Sequence, residues 1–155
     1  MAVFARPLDS VRERSIVGVG EPSVGRLEGL GCRFTPVDPL DPVDPAAALL
    51  AVSNPAIPVM LELKIARYVD KKAATAQWKR NSDAERVGAA SHDLPVGAAP
   101  AVLVERAAES LLIASYRAYT VTVVLPATTP LPQGRSAPDV LVDLVQRVVP
   151  RVVPT

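Results

Sequence analysis

The sequence contains a single cysteine and a single histidine, so two residue types that often bind metals or take part in nucleophilic catalysis are nearly absent. One cysteine cannot form an internal disulfide, and a zinc site of the usual kind needs more cysteine and histidine than this chain has. The 155 residues are nevertheless enough for one domain with a buried core. We therefore expect a single domain over residues 1–155, with no catalytic residue, cofactor site or metal site that the sequence identifies.

The chain also lacks an excess of charge of either sign and a long apolar run. Its formal net charge is +1 and its hydrophobic content is 49%, which argues against wholesale disorder and gives no basic surface for nucleic acid. The longest strongly apolar run, Ala46–Val52, is far shorter than the roughly 20 residues needed to cross a bilayer. We expect no nucleic acid partner and no transmembrane segment.

Prolines, in contrast, are abundant, with 16 in the chain. Because proline cannot donate to a strand ladder and fits poorly inside a helix, residues 36–58 and 126–138 are predicted to be proline-rich loops. In the first loop, Asp38, Asp41 and Asp44 recur every three residues, which would space them at about 9 Å along a polyproline helix. That spacing is too wide for one calcium ion, whose oxygen ligands lie at about 2.4 Å, so a solvated linker is predicted.

The first half of the chain suggests a helix and two strands. Ser10 and Glu13 have capping-box spacing, which predicts about two turns of helix ending near Gly18. A glycine-rich stretch then predicts turns before a short strand at Cys-Arg-Phe-Thr, residues 32–35. Apolar and polar residues alternate over Val59–Tyr68, the pattern of a half-buried strand.

The next segments predict a capped helix and a strand meander. Asp70 is placed to cap a short helix that ends near Asn81. Three β-rich runs, AVLVER, SLLIAS and YTVTVVLP, are separated by short turns and predict an antiparallel meander. Residues Ala107–Ala118 are also compatible with a helix, and the sequence leaves that alternative open. As a meander, the runs are expected to share one apolar face formed by Val102, Val104, Leu111, Ile113, Val121, Val123 and Leu125.

The chain is predicted to close with an amphipathic helix that begins after Ser136 and stops at Pro150. Its apolar stripe would cover the meander, and consists of Leu141, Leu144, Val145 and Val148. The predicted fold class is therefore α+β: an antiparallel sheet with a C-terminal meander, covered by short helices including a C-terminal amphipathic helix.

Several short motifs resemble functional signatures but lack the residue types or the geometry that the corresponding chemistry needs. The segment GEPSVGRL has the glycines of a phosphate loop but Arg26 and Leu27 in place of its lysine and hydroxyl residue. Ser91, His92 and Asp93 are the three residue types of a catalytic triad, but adjacent side chains diverge, so they cannot form one. His92 is expected to be a solvated loop residue. Glu62 and Glu105 are carboxylates that could be considered as a pair for acid–base catalysis, but the sequence gives no reason beyond their availability to choose them. Cys32 is expected to be a small core residue.

The order of these elements resembles one family. A short helix leads to VGVGEPSVG, then to the Cys-Arg-Phe-Thr strand, the LELKIA strand, a helix and a valine-rich terminal hairpin. This looks like the small exported lipoprotein domains of actinobacteria and spans roughly residues 8–149. The resemblance implies the cell envelope or secretion if the N-terminus is truncated, whereas the chain as given, which opens without a signal peptide, would be cytoplasmic.

Two functional hypotheses follow. The leading one is a non-enzymatic envelope or interaction domain with an unknown protein or small-molecule partner, because no reactive groups converge. The alternative is a small-molecule-binding protein or enzyme with a pocket between the sheet and the helices. Residues such as Tyr68, Trp78 and Arg106 would line that pocket.

Overall fold

The computed structural model describes residues 11–17, 25–36 and 59–152. The described chain forms one antiparallel sheet of seven strands and two helices. In chain order the elements are β1 (Val11–Val17), β2 (Arg26–Pro36), β3 (Leu61–Tyr68), α1 (Lys71–Arg86), β4 (Ala90–Asp93), β5 (Ala101–Glu105), β6 (Glu109–Tyr116), β7 (Tyr119–Pro126) and α2 (Ala137–Val152). The strands are ordered β1-β2-β3-β7-β6-β5-β4 across the sheet. The predicted α+β class, with a meander and a C-terminal helix, is confirmed.

The predicted meander is formed by β5, β6 and β7, which pair as consecutive antiparallel neighbours. The helical alternative for Ala107–Ala118 is wrong, because most of that segment is β6, which pairs with β7 and β5 inside the sheet. The predicted strand within Val59–Tyr68 is also confirmed, as β3. It lies between β2 and β7, and so joins the meander to the N-terminal strands.

The meander does not have a single apolar face, contrary to the prediction. Residues directly opposite each other on neighbouring strands point to the same face of the sheet. Val102, Ile113 and Thr122 are opposite one another, so Ile113 does not share a face with Val121 or Val123. The predicted residues are therefore divided between two faces, and both faces are buried. Val102, Val104, Leu111 and Val124 pack with Trp78 of α1, whereas Leu103, Leu112, Val121, Val123 and Leu125 pack with α2. We call these faces the α1 side and the α2 side.

Helix α2 covers its side of the sheet with four buried residues, Val140, Leu141, Leu144 and Val145. The predicted stripe is correct except that Val148 is only half-buried. Ser136 and Asp139 form the expected cap: the serine hydroxyl donates to the carboxylate at 2.7 Å. That hydrogen bond, followed by one from the Ser136 backbone amide, lowers the pKa of Asp139.

Helix α2 does not stop at Pro150, which lies inside the last turn. The proline removes one backbone hydrogen-bond donor there. The loss of this hydrogen bond is small so close to the end of a helix that packs against the sheet. No helix in the described part of the chain is long and apolar enough to cross a membrane.

Helix α1 begins as predicted. The Asp70 carboxylate accepts a hydrogen bond from the Ala73 amide at 2.7 Å, which satisfies one of the orphan donors at the helix start. The helix continues past the predicted end near Asn81 to Arg86. The reason is packing, since Ala74, Trp78 and Ser82 recur at i, i+4 spacing and face the sheet for the whole length of the helix.

The predicted N-terminal helix is wrong, because Val11–Val17 forms β1 at the edge of the sheet. Its backbone pairs with β2 along the full strand, from Val11 opposite Pro36 to Val17 opposite Leu30. Strand β2 is also longer than the predicted Cys-Arg-Phe-Thr strand, because pairing with β1 and β3 on both edges extends it through Gly29 and Gly31.

The predictions for the first proline-rich loop, including Asp38, Asp41 and Asp44, lie outside the described residues. In the second proline-rich segment, residues 127–136 contain no helix or strand. This connection is fixed to the sheet by Thr129, whose buried hydroxyl donates to the Met60 carbonyl at 2.6 Å.

Cys32 is buried in β2, with 4% of its surface exposed, opposite Leu63 of β3. We expect Cys32→Ser to lower the free energy of unfolding by about 1–3 kcal/mol, because a buried hydroxyl costs more to remove from water than a thiol. Chemical denaturation measures this loss, and Cys32→Ala is the control that removes the sulfur without adding a hydroxyl. Native Cys32 should react slowly with a thiol reagent at neutral pH. Rapid labelling would show an accessible and reactive thiol.

Candidate ligand-binding groove

The residues with the most reactive side chains do not form a site. Cys32 is in β2 and His92 is exposed in β4, with β3, β7, β6 and β5 between them. His92 is thus on an edge strand and not in the predicted loop, although it is solvated as expected. Among the described residues, no group of three or more His, Cys, Asp and Glu is placed to hold a metal ion.

The available carboxylates do not form a pair either. Glu62 is in β3 on the α1 side, where it contacts Arg33 at 3.3 Å and Lys64 at 3.0 Å. Glu105 is at the end of β5 and, two residues from Leu103, belongs to the α2 side. The two carboxyl groups are therefore on opposite faces of the sheet.

The pocket residues of the alternative hypothesis serve the packing of α1. Tyr68 is buried on the α1 side at the end of β3. Trp78 packs on the buried cluster of that side and donates its indole N–H to the Ile113 carbonyl at 2.8 Å. Neither residue, nor Arg106, lines either of the two cavities described below.

Arg106 joins the end of α1 to the turn between β5 and β6. Its guanidinium donates to the Glu85 carboxylate, to the Glu85 carbonyl at 2.9 Å and to Glu109 at 3.2 Å. The hydrogen bond to Glu85 is the main reason that the pKa of Arg106 is raised. The arginine therefore acts as a clamp between two elements.

The best candidate site lies on the α2 side, where the β6–β7 hairpin ends. The register places Tyr116, Tyr119, Arg67 and Glu28 in one row across four neighbouring strands, β6, β7, β3 and β2. All four share the face that carries Val121 and Ile65, because side chains two residues apart on a strand point the same way. Tyr116, Tyr119 and Arg67 are half-buried, and Glu28 is exposed.

A cavity of about 350 Å³ lies on one side of this row. Its floor is the Tyr116–Arg117 end of the hairpin, and its walls are the 96–99 turn and the last turns of α2, with Val145 and Val149. Backbone hydrogen bonds in both directions between Val96 and Ala99, each 3.0 Å, close the turn. The described lining is mostly aliphatic and includes no carboxylate.

A second cavity of about 320 Å³ lies on the other side of the row, over β2 and β3. Tyr119, Leu30 and Ile65 supply its apolar lining, and Leu30 is 44% exposed. An ion pair borders it, since the Arg67 guanidinium contacts the Glu28 carboxylate at 2.7 Å.

Each cavity is lined by one member of a tyrosine pair. Tyr116 lines the first cavity and Tyr119 lines the second, and the two residues are directly opposite each other in the hairpin. We refer to the two cavities and the tyrosine pair together as the groove. It offers apolar surface, two phenols and arginine, a composition suited to binding, and no nucleophile paired with a base.

Comparison with family models, curated proteins and solved structures found no match.

The sequence did contain a signal for this site. Tyr116 and Tyr119 are two of the three tyrosines in the chain, and they lie on either side of a short turn. A second signal is that Tyr-Arg-Ala-Tyr has no glycine, asparagine or aspartate in a two-residue hairpin loop, where these residues are strongly preferred.

Proposed function

We propose that this protein is a non-enzymatic interaction domain that binds an extended segment of a partner protein in the groove. The observation that carries the proposal is that Tyr116 and Tyr119, which are directly opposite each other in the hairpin, line two separate apolar cavities. An elongated groove with two separate apolar depressions suits a chain with two anchoring side chains better than one compact molecule.

The dimensions of the groove agree with such a ligand. From β6 to β2 there are three strand spacings of about 4.8 Å, which gives about 14 Å. An extended chain advances about 3.3 Å per residue, so residues i and i+4 are about 13 Å apart and point the same way. One apolar side chain would enter each cavity, with three residues crossing the tyrosine pair.

The chemistry of the lining also favours a protein partner. Tyrosine and arginine are enriched among the residues that dominate binding energy at protein interfaces. The groove has Tyr116, Tyr119, Arg117 and Arg67 within or beside two apolar depressions.

A small-molecule-binding protein is the second candidate, and the cavity beside α2 is the observation that favours it. Its volume of about 350 Å³ is at the lower end of the roughly 300–1,000 Å³ typical of ligand pockets. Such a ligand would occupy one cavity, whereas a peptide would occupy both.

Two short peptides test the proposal by amide NMR titration of the isotope-labelled full chain. The first, acetyl-Leu-Asn-Gly-Asn-Leu-amide, has two anchors, and the second has serine in place of the last leucine. We expect the two-anchor peptide to bind about fivefold more tightly, the effect of about 1 kcal/mol from partly burying one leucine. Its shifts should include amides at both cavities.

A pair of matched variants locates the second anchor. Leu30→Ser removes apolar lining from the cavity over β2 and β3, and should reduce the two-anchor peptide to the affinity of the one-anchor peptide. Leu27→Ser is the control, because Leu27 is 53% exposed on the same strand and lines neither cavity. Equal affinity of both peptides for wild type would favour the single-cavity ligand, and no shifts in the groove would disprove the proposal.

Location at the cell envelope is a further part of the proposal, supported by the resemblance to exported lipoprotein domains. Fractionation of the native cells, with detection by an antibody to this chain, checks it. Recovery with the cytoplasmic fraction alone would contradict it.

A further inference from the structure

Pro150 changes the hydrogen bonding of α2 close to its C-terminal end. It lies within Ala137–Val152, where each backbone amide would donate to the carbonyl four residues earlier. Because proline has no N–H, the Gln146 carbonyl lacks its α-helical donor, and the proline ring crowds that carbonyl. No backbone amide of the described chain outside α2 donates to it. The helix therefore presents a backbone acceptor that the regular α-helical pattern leaves unpaired.

This acceptor belongs to the wall of the cavity beside α2. Gln146 and Pro150 both line that cavity, together with Val145 and Val149 of the same helix. Gln146 is exposed, so a ligand in the cavity can approach its backbone. The residue that loses its donor and the proline that causes the loss are thus at the same place in the groove.

The electrostatics of this end of α2 favour a donor. The C-terminal end of a helix carries a partial negative charge, and its last four carbonyls have no intrahelical donor. The Gln146 carbonyl adds one more acceptor a turn earlier, on the side of the helix that borders the cavity. An N–H group of a ligand is attracted to this wall, whereas a ligand carbonyl is repelled.

Filling the cavity makes the pairing of this carbonyl matter more. An apolar side chain packed against Val145 and Val149 excludes water from the wall that Gln146 shares with them. A carbonyl that loses water without gaining a donor opposes binding, whereas one that meets an N–H favours it. The cavity therefore discriminates between ligands by whether they carry a donor beside the apolar group.

We propose that the Gln146 carbonyl accepts a hydrogen bond from a backbone N–H of the bound segment, next to the side chain that enters the cavity beside α2. This inference rests on the proposed function, since it specifies how the groove holds the main chain of its partner. Pro150 is a positioning residue that acts through this carbonyl. The partner residue that supplies the N–H cannot be proline.

A peptide and its ester analogue test the need for a donor. The peptide, acetyl-Leu-Gly-Gly-Gly-Leu-dimethylamide, has two anchors, and all of its N–H groups belong to the main chain. The analogue has an ester oxygen in place of each N–H, so it keeps both anchors and has no donor in either direction of binding. In amide NMR titration of the full chain, we expect the peptide to bind wild type at least about fivefold more tightly than the analogue.

Pro150→Ala is the decisive variant, because it restores the backbone N–H that donates to the Gln146 carbonyl within the helix. The advantage of the peptide over the ester analogue should fall about fivefold relative to wild type. Each comparison uses two ligands on one protein, so the loss of the proline ring from the lining affects both ligands alike. Arg151→Ala is the matched control, since Arg151 is exposed beside Pro150 and lines neither cavity. It should retain the wild-type advantage.

The carbonyl carbon resonance of Gln146 gives a direct measurement that needs no variant. Hydrogen bonding to a carbonyl moves its ¹³C resonance downfield, so the peptide should shift this resonance downfield and the ester analogue should not. If Pro150→Ala keeps the wild-type advantage, or if both ligands move the Gln146 resonance alike, the inference is wrong. The groove proposal then still stands, provided that both ligands shift amides at both cavities. An absence of groove shifts with either ligand would disprove both.

Two further controls exclude other occupants. N-isobutylacetamide has one leucine-like group and one N–H, and it should bind more weakly than the peptide because it fills one cavity only. Equal or tighter binding would identify a small amide as the ligand and overturn the inference. Groove shifts that depend on protein concentration without any ligand would identify a second copy of the chain as the occupant, which also contradicts it.

Discussion

Leu144→Asp is expected to unfold the domain or leave it close to unfolding. Leu144 is 7% exposed and belongs to the cluster that α2 forms with the sheet, next to Leu141 and Val145. The substitution loses the apolar contacts and places a carboxylate where the cluster offers no partner. We expect a loss of about 4 kcal/mol or more, a large part of the 5–15 kcal/mol that stabilises an ordinary domain.

Chemical denaturation followed by circular dichroism measures the effect of Leu144→Asp. Gln146→Asp is the matched control for stability, because it introduces the same side chain into the same helix at an exposed position, and it should cost well under 1 kcal/mol. Gln146 lines the cavity beside α2, so peptide binding is compared with wild type and not with this control. If Leu144→Asp has the same denaturation midpoint as the control, α2 is not a core helix. If it also loses the peptides that wild type binds, α2 itself is an interaction surface.

The elements whose pattern is local were predictable. Alternation in β3, the Asp70 cap of α1 and the Ser136–Asp139 cap of α2 are properties of a few adjacent residues, and the structure shows all three. The meander was also predictable, because its strands are separated only by short turns.

Strand β1 was not predictable in the same way. Ser10 and Glu13 have the spacing of a helix cap, but the backbone from Val11 to Val17 pairs with β2. That partner is not adjacent in sequence, and pairing between strands overrides a weak local preference for helix.

The division of the meander into two buried faces was predictable from turn length. A two-residue loop of Arg117 and Ala118 sets Tyr116 opposite Tyr119, and counting back then sets Ile113 opposite Thr122. Ile113 therefore cannot share a face with Val121 or Val123. The prediction grouped them because every run is rich in apolar residues on both faces, as in sheets covered on both sides.

The groove was the least predictable feature. It needs the register of β2, β3, β6 and β7 to bring Glu28, Arg67, Tyr119 and Tyr116 into one row, and the path of α2 to form a wall. Only the Tyr-Arg-Ala-Tyr turn indicated it locally. The sequence suggested three pocket residues by residue type alone, namely Tyr68, Trp78 and Arg106. Their actual positions under or beside α1 depend on tertiary packing, which the sequence pattern does not show.

Trp78→Ala is expected to detach α1 from the sheet and to cost about 2–4 kcal/mol, the effect of deleting a large, partly buried aromatic side chain. The ring packs on Val102, Val104 and Leu111, and its indole N–H donates to the Ile113 carbonyl at 2.8 Å. Its removal leaves this cluster of the α1 side without its largest cover. The expected result depends on the sheet having two buried faces.

Two further variants separate packing from hydrogen bonding at Trp78. Trp78→Phe retains most of the apolar contact and loses the hydrogen bond to Ile113, so we expect it to cost only about 1–2 kcal/mol. Lys79→Ala, at the adjacent exposed position of α1, should stay within about 0.5 kcal/mol of wild type. Amide hydrogen exchange should show faster exchange along Lys71–Arg86 in Trp78→Ala than in Trp78→Phe. If both Trp78 variants are as stable as Lys79→Ala, α1 does not hold the sheet, and the surface beneath it would then be open to a ligand.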